Sequence, residues 1–341
     1  MRRRLSDRAL EGFAFLVVLW AGCSGPRATG IRDTDRRAGA WRLVPIHAGL
    51  CSLGEDHVLG GDRTAERRIP FALLAFYAEG PRGERVLVDL GPMTLATTNA
   101  MFRRYGFFRD LGEGVPTSER FPDDIVQPHG NVFAALERLG VRPRDVGHIV
   151  FTHLHADHHG IDDAKDGGAA ERFPRAVVHI SRRGWEENLA RRKDGRWGSY
   201  VDFAFSDFLL RLEGEGRLHL SGDEEILPGL ETIHLGGHSE CSQAVLVRTA
   251  DGPAILTSDE VYLYRLLEED ILPRISTTPE RYRAAVARLV ERAETEGAVL
   301  VPSHDPEVWR AYEAAGERWL SALRPLSEKA VRGYRSRARR G

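Results

Sequence analysis

The sequence predicts an α/β domain built in layers. Short runs rich in β-branched and aromatic residues come in two batches, each interspersed with segments of helical period. The 341 residues, 42% of them hydrophobic, are enough to bury a sizeable core. No internal repeat or low-complexity run breaks the pattern.

The first batch opens at Trp41. WRLVPIHAG, FALLAFYAE and RVLVDLG are bounded by turns and read as strands. NVFAALERLGV, Asn131 to Val141, reads as a helix stopped by Gly140. VGHIVFTH, Val146 to His153, is the next strand. AVVHISRRG is another, and GWEENLARR after it is helical. From Glu186 to Leu220 the pattern is less regular. SYVDFAFSDFLL at its centre fits an inserted cap or an ordinary helix packed on the core. The second batch holds IHLGGH, QAVLVRT and AILTSDE as strands. PERYRAAVARLVERAETEG is a long amphipathic helix, capped by Thr278 and stopped by Gly297. AVLVPSH is a last strand, and PEVWRAYEAAGERWLSAL is helical. The folded domain is expected over residues 41–320, followed by a basic, solvated tail over 321–341.

The 48 basic and 50 acidic residues are interspersed and leave a net charge of -2. With a pI of about 6.7, the chain has no broad cationic field for nucleic acid. Its start is more specific. MRRRLSDRAL is positive, and FAFLVVLWA, Phe13 to Ala21, is nine apolar residues. That is short of the roughly 20 needed to span a bilayer and suits the core of an export signal. AGCSG follows and resembles a bacterial lipoprotein processing site at Cys23, with Trp20, Asp7 and Glu11 as departures. Residues 1–23 are therefore expected to be an export signal with a lipid anchor at Cys23, holding the protein on a membrane of the cell envelope. A plain cleaved signal, giving a secreted or periplasmic protein, and an uncleaved anchor fit the same stretch. Residues 24–40, Gly-rich and charged without periodicity, read as a tether. Of three cysteines, Cys51 and Cys241 remain to pair in an oxidising compartment.

The stretch FTHLHADHHG, Phe151 to Gly160, carries the chemistry. Four histidines and an aspartate follow a β-branched strand. At strand spacing, residues i and i+2 share a face, so His153 and His155 converge on one ion. The chain then turns, and Asp157 and His158 face a second. Imidazole and carboxylate suit zinc first, with iron or manganese as alternatives. Two coordination shells need further ligands. His238, Asp259 and His304 supply them, each just after a predicted strand. The glycines before His238 let the backbone turn tightly, and a carboxylate at Asp259 suits a bridge between two cations. His148, His179 and His234 read as structural, and His159 as packing or support for the ligands.

THLHADHHG resembles the HxHxDH signature of the metallo-β-lactamase superfamily. VLVDLG, GGHS, TSDE and PSHD match that family's other motifs in order, over roughly Trp41 to Leu320. The resemblance implies an αββα sandwich with two metals at one edge between the sheets. It implies His153, His155 and His238 on one ion, Asp157, His158 and His304 on the other, and Asp259 between them. Asp89 matches an early aspartate that orients the His-rich loop. Leu90 stands after it where the family usually has Thr.

Two cations a few Å apart lower the pKa of a water held between them and make hydroxide available for hydrolysis. Asp259, where β-lactamases have Cys or Ser, argues against that activity. Tyr262, three residues on, resembles a tyrosine of the family's N-acyl-homoserine lactonases that points into the site and holds a carbonyl oxygen. GGHSECSQAV resembles their Gly-His-Thr-Pro-Gly segment, with Glu240 and Cys241 as departures. The expected activity is opening of a small-molecule lactone or ester, with Asp157 returning a proton to the leaving alkoxide. Phe203, Phe205 and Phe208, or MFRRYGFF, are candidate walls for an acyl tail. The alternatives are an ester or thioester hydrolase of the hydroxyacylglutathione type, an iron oxidoreductase of the same fold, and a metal-binding lipoprotein without turnover.

Overall fold

The computed structural model describes residues 39–60, 67–94, 125–160, 168–193 and 203–339. They belong to one compact unit, Arg36–Gly341. The expected export signal, Cys23 and nearly all of the tether lie outside the described residues, as does MFRRYGFF. No described helix is long and apolar enough to cross a membrane.

Seven strands form the first sheet: β1 (Arg42–Gly54), β2 (Arg68–Glu79), β3 (Arg85–Val88), β4 (Ile125–Val126), β5 (His148–Val150), β6 (Val177–Ser181) and β7 (Leu218–Ser221). Their order is β4-β1-β2-β3-β5-β6-β7. The β1, β2, β3 and β4 pairings are antiparallel, and from β3 through β5 and β6 to β7 they are parallel. The second sheet holds β8 (Glu224–Leu227), β9 (Leu230–His234), β10 (Gln243–Thr249), β11 (Gly252–Leu256) and β12 (Val299–Val301), in the order β12-β11-β10-β9-β8.

Side-chain alternation along β2 explains the layering. Ala72, Leu74, Phe76 and Ala78 share a core with Val245, Leu246 and Ile255 of the second sheet. Ala75 and Tyr77 point the other way, into a core with Leu136, Trp185 and Leu209 from helices on the outer face. A strand buried on both faces reads as a continuous apolar run, as FALLAFYA does. The helix Pro279–Glu296 covers the far side of the second sheet through Tyr282, Val286, Leu289 and Val290. Thr278 caps it by accepting from the Arg281 amide at 3.2 Å, and Gly297 ends it in the left-handed region. The order is helices, sheet, sheet, helices.

Several expectations change. Residues 321–338 are helix and not a solvated tail. A helix runs Trp319–Ala338, across the expected boundary at Leu320, and buries Trp319, Leu323, Ala330 and Tyr334. Among the described residues from Glu186 onward, the helix Arg182–Lys193 ends and an ordinary packed helix, Phe203–Gly214, puts Leu209 and Leu212 in the outer core. Phe208 is buried beside them and belongs to that core, not to a substrate wall. The side chains of Phe203 and Phe205 lie outside the described residues. Cys51 and Cys241 are thiols, not a disulfide, and sit in different apolar clusters. The strand expected over Val146 to His153 stops at Val150, so the His-rich stretch is loop.

Candidate metal centre

The loop after β5 is held by long-range bonds in place of a strand ladder. The Phe151 amide donates to the His179 carbonyl at 3.0 Å, and the Gln243 amide donates to the Thr152 carbonyl at 2.8 Å. Gln243 Nε2 donates to the Phe151 carbonyl at 2.8 Å. Asp89 stands at the end of β3 with φ of 56°, in the left-handed region, a conformation costly for a non-glycine residue. From there its Oδ1 accepts from the Thr152 amide at 2.8 Å, and its Oδ2 accepts from the Thr152 hydroxyl at 2.7 Å. The same Oδ2 lies 2.9 Å from Nδ1 of His158.

All seven proposed ligands are gathered, in two groups. His153, His155, His238 and Asp259 form one, and Asp157, His158 and His304 the other. Asp259 joins them. Its Oδ1 lies 2.9 Å from His304 Nε2 and 3.3 Å from His158 Nε2. Its Oδ2 lies 3.5 Å from His238 Nε2 and 3.7 Å from His153 Nε2. One carboxylate thus faces one pair of imidazoles with each oxygen. Asp157 is half-buried, with its Oδ2 3.7 Å from His158 Nε2 and 4.0 Å from His304 Nε2.

The unused ring nitrogens fit metal ligation. Nε2 of His153, His158 and His304 are buried and make no aligned hydrogen bond; what each faces is the Asp259 carboxylate. Buried polar atoms of that kind are rare unless something else satisfies them. The opposite nitrogens are engaged. Nδ1 of His304 lies 2.6 Å from the Ala72 carbonyl, and Nδ1 of His238 lies 3.1 Å from the Ile275 carbonyl. A proton on each Nδ1 leaves each Nε2 as a lone pair. Nε2 of His238 and Nδ1 of His155 face each other at 2.9 Å, a spacing suited to two donors of one cation.

Titration separates the histidines: His153, His155 and His238 favour the neutral ring that a cation needs, whereas His158 favours the charged ring. Burial pushes His153, His155 and His238 below the usual imidazole range. Burial opposes charge on His158 as well, but Asp259, Asp157 and Asp89 together hold it well above that range. Burial also opposes ionisation of Asp259, yet His304 and His158 hold it well below the carboxylate range.

Tyr262 is buried beside this centre, and its Oη lies 2.9 Å from His238 Nδ1. Burial and then Asp259 push its phenol well above the usual range, so it stays protonated. Phe71, which sequence patterning did not single out, stacks on His304 at 3.9 Å and meets Tyr262 edge-on at 5.8 Å. Glu260 was missed as well. It is buried, and its Oε1 accepts from the Gly237 amide at 2.9 Å and the His238 amide at 3.0 Å. Burial raises its carboxyl to about 7 against the pull of those two donors. His148, His179 and His234 stand outside both groups. His148 Nδ1 meets His179 Nε2 at 2.9 Å, and His234 Nδ1 meets Ser181 Oγ at 2.7 Å. His159 is buried next to the centre but belongs to neither group.

The family model described as metallo-beta-lactamase superfamily matches residues 73–304. The chain belongs to this superfamily. N-acyl homoserine lactonase AttM of Azorhizobium caulinodans is 31% identical over 192 residues, which are 53% of this chain and 66% of that protein. The match thus spans just under two thirds of AttM. N-acyl homoserine lactonase AiiA of Bacillus thuringiensis subsp. kurstaki is 26% identical over 268 residues, 78% of this chain and 94% of AiiA. The solved structure of a quorum-quenching N-acyl homoserine lactone lactonase superposes with a TM-score of 0.59 at 21% identity, covering 79% of this chain and 93% of that one. The fold is the αββα metallo-β-lactamase sandwich.

Proposed function

We propose that the chain is a metal-dependent hydrolase that opens a lactone of the N-acyl-homoserine type. The observation that carries this is Asp259, whose two oxygens each face a different pair of histidines. Similarity to AttM and AiiA supports the substrate class. His153, His155 and His238 would hold one ion, Asp157, His158 and His304 the other, with Asp259 shared and zinc the first choice for this donor set. Two bound ions would make hydroxide available near neutral pH and polarise a carbonyl oxygen.

The chain's own groups supply the rest. His238 bound through Nε2 keeps a proton on Nδ1, which is shared between the Ile275 carbonyl and Tyr262 Oη. The phenol oxygen then accepts, and its own proton is available to donate to the substrate carbonyl as negative charge develops there. Asp157 takes the proton released on attack and returns it to the leaving alkoxide. Phe71 packs against His304 and Tyr262 and fixes the planes of their rings. Export and a lipid anchor at Cys23 complete the proposal, placing the enzyme at the cell envelope against a small-molecule substrate.

The test pairs metal content with turnover of a medium-chain acyl-homoserine lactone, on protein starting near Gly25. Two zinc ions per chain with ring opening are expected. Two ions without ring opening would redirect the reading to other esters or thioesters. One iron without hydrolysis would replace it with an oxidoreductase.

A further inference from the structure

We infer that Glu260 is a positioning residue: through the reach of its carboxyl it fixes the His238 turn to the Asp259 segment and so sets the spacing of the metal centre. The inference rests on the metal-site reading above and extends it to a residue outside the ligand set.

The turn at 236–238 has no strand ladder of its own. β9 ends at His234, and β10 begins at Gln243. Buried amides and carbonyls in such a turn need partners from elsewhere. The Gly236 amide goes to the Ser242 carbonyl at 3.0 Å, and Glu260 supplies the acceptors for the next two. Its Oε1 takes the amides of Gly237 and His238 at 2.9 and 3.0 Å, and its Oε2 lies 3.1 Å from the His238 amide. Thr277 supplies the donors. Its amide and hydroxyl both reach the Gly237 carbonyl, at 2.8 and 2.7 Å. The turn is clamped from both sides, and only one side carries a metal-facing neighbour. Glu260 adjoins Asp259, so the bond from its carboxyl to the His238 amide ties the shared carboxylate to an imidazole that faces it at 3.5 Å.

The surroundings leave little slack. A Cβ on Gly237 would overlap the Glu260 carboxyl and come within 2.8 Å of Ala285 Cβ and 2.9 Å of Tyr282 Cα. The Tyr282 hydroxyl donates to the Glu260 carbonyl at 2.6 Å, which holds the backbone from which the carboxyl reaches. Ser258, two residues back, sits at φ of 56°, so the segment enters the site in a costly conformation that its contacts must maintain.

Two variants separate reach from charge. Glu260→Gln keeps the length and one oxygen able to accept both amides but removes the charge. Glu260→Asp keeps the charge but is one methylene short. The full chain is purified in each form. Zinc affinity is read by competition with a chelator, and cobalt-substituted protein reports ligand geometry by its visible spectrum. Glu260→Gln is expected within about 3-fold of the wild-type affinity and Glu260→Asp about 10- to 100-fold weaker, the usual scale for losing a group that orients a ligand. The cobalt spectrum should shift in Glu260→Asp and not in Glu260→Gln. The reverse order would assign Glu260 a purely electrostatic part and overturn the inference, as would equal affinities in all three proteins. A wild type that binds no zinc or cobalt would overturn the metal-site reading itself.

Discussion

Each of three histidines in the centre has one nitrogen engaged and the other turned toward Asp259. Asp89 engages His158, the Ala72 carbonyl engages His304, and the Ile275 carbonyl engages His238. This division is what a cation needs, because a lone pair must be presented in a fixed direction. Tyr262 is different: its Oη meets His238 Nδ1, its carbonyl accepts from the His304 amide, and its phenol proton is left to donate. Tyr262→Phe should therefore keep two metals per chain and lower kcat by about 10²-fold, the scale of losing one oxyanion donor. Metal analysis beside steady-state kinetics checks this, and unchanged turnover would remove Tyr262 from the mechanism. At this scale the sequence was legible where chemistry forces a residue type at a short spacing, as in His153 to His158. Glu260 was not legible. A carboxylate after Asp259 looks like any surface charge, and its meaning depends on amides some 23 residues away in the chain.

Among the elements, long periodic segments were read well, and short or mixed ones were not. The helix Pro279–Glu296 has a cap, a stop and a continuous apolar stripe, and all three were visible. The strand over Val146 to His153 was read too long for a physical reason. Phe151, Thr152, His153 and Leu154 are buried, so they match a strand's composition. Their backbone partners, however, are the Asp89 side chain and distant carbonyls and amides, which no local pattern encodes. The C-terminal helix Trp319–Ala338 was hidden by its arginines. Its inner stripe runs Leu323, Ser327, Ala330 and Tyr334, at helical spacing but with only two large apolar members. Ser327 earns its place by donating no apolar area: its Oγ accepts from the Leu300 amide at 2.9 Å and fixes the helix to β12. Gly333 packs against Glu268 of the helix Tyr264–Glu269, which follows Tyr262. A chain ending at Leu320 should consequently be severely destabilised. Leu323 and Tyr334 represent about 1.5–3 kcal/mol each of buried side chain, against a total stability of roughly 5–15 kcal/mol. Thermal unfolding and limited proteolysis would measure the loss. A truncated chain with an unchanged melting temperature would mean that the helix beyond Leu320 adds nothing to stability.

For the molecule as a whole, buried histidines away from the centre make stability depend on pH. Burial and then His129 lower His47 to about 4, although Glu313 pulls the other way. Burial and then His148 lower His179 to about 3. In the unfolded chain both return to about 6.5. The folded pKa values lie below the unfolded ones, so the unfolded state takes up protons first as the medium is acidified. The stability these groups contribute is complete above about pH 6.5 and is lost as pH falls toward 4 and 3, at a limiting slope of about 1.4 kcal/mol per pH unit for each histidine. Acid also protonates the ligands of the centre, so the slope of the wild type alone would mix two causes. His47→Phe separates them. His47 is 7% exposed, and its ring packs against His129 and Trp309 at 5.3 Å from each. A phenyl ring suits that apolar setting and does not titrate. Urea unfolding across a pH series should give a shallower acid slope for His47→Phe than for the wild type, by close to one proton between pH values of about 6 and 4. Parallel slopes would mean that His47 takes up its proton in the folded protein as readily as in the unfolded chain, and would overturn its place in the acid dependence.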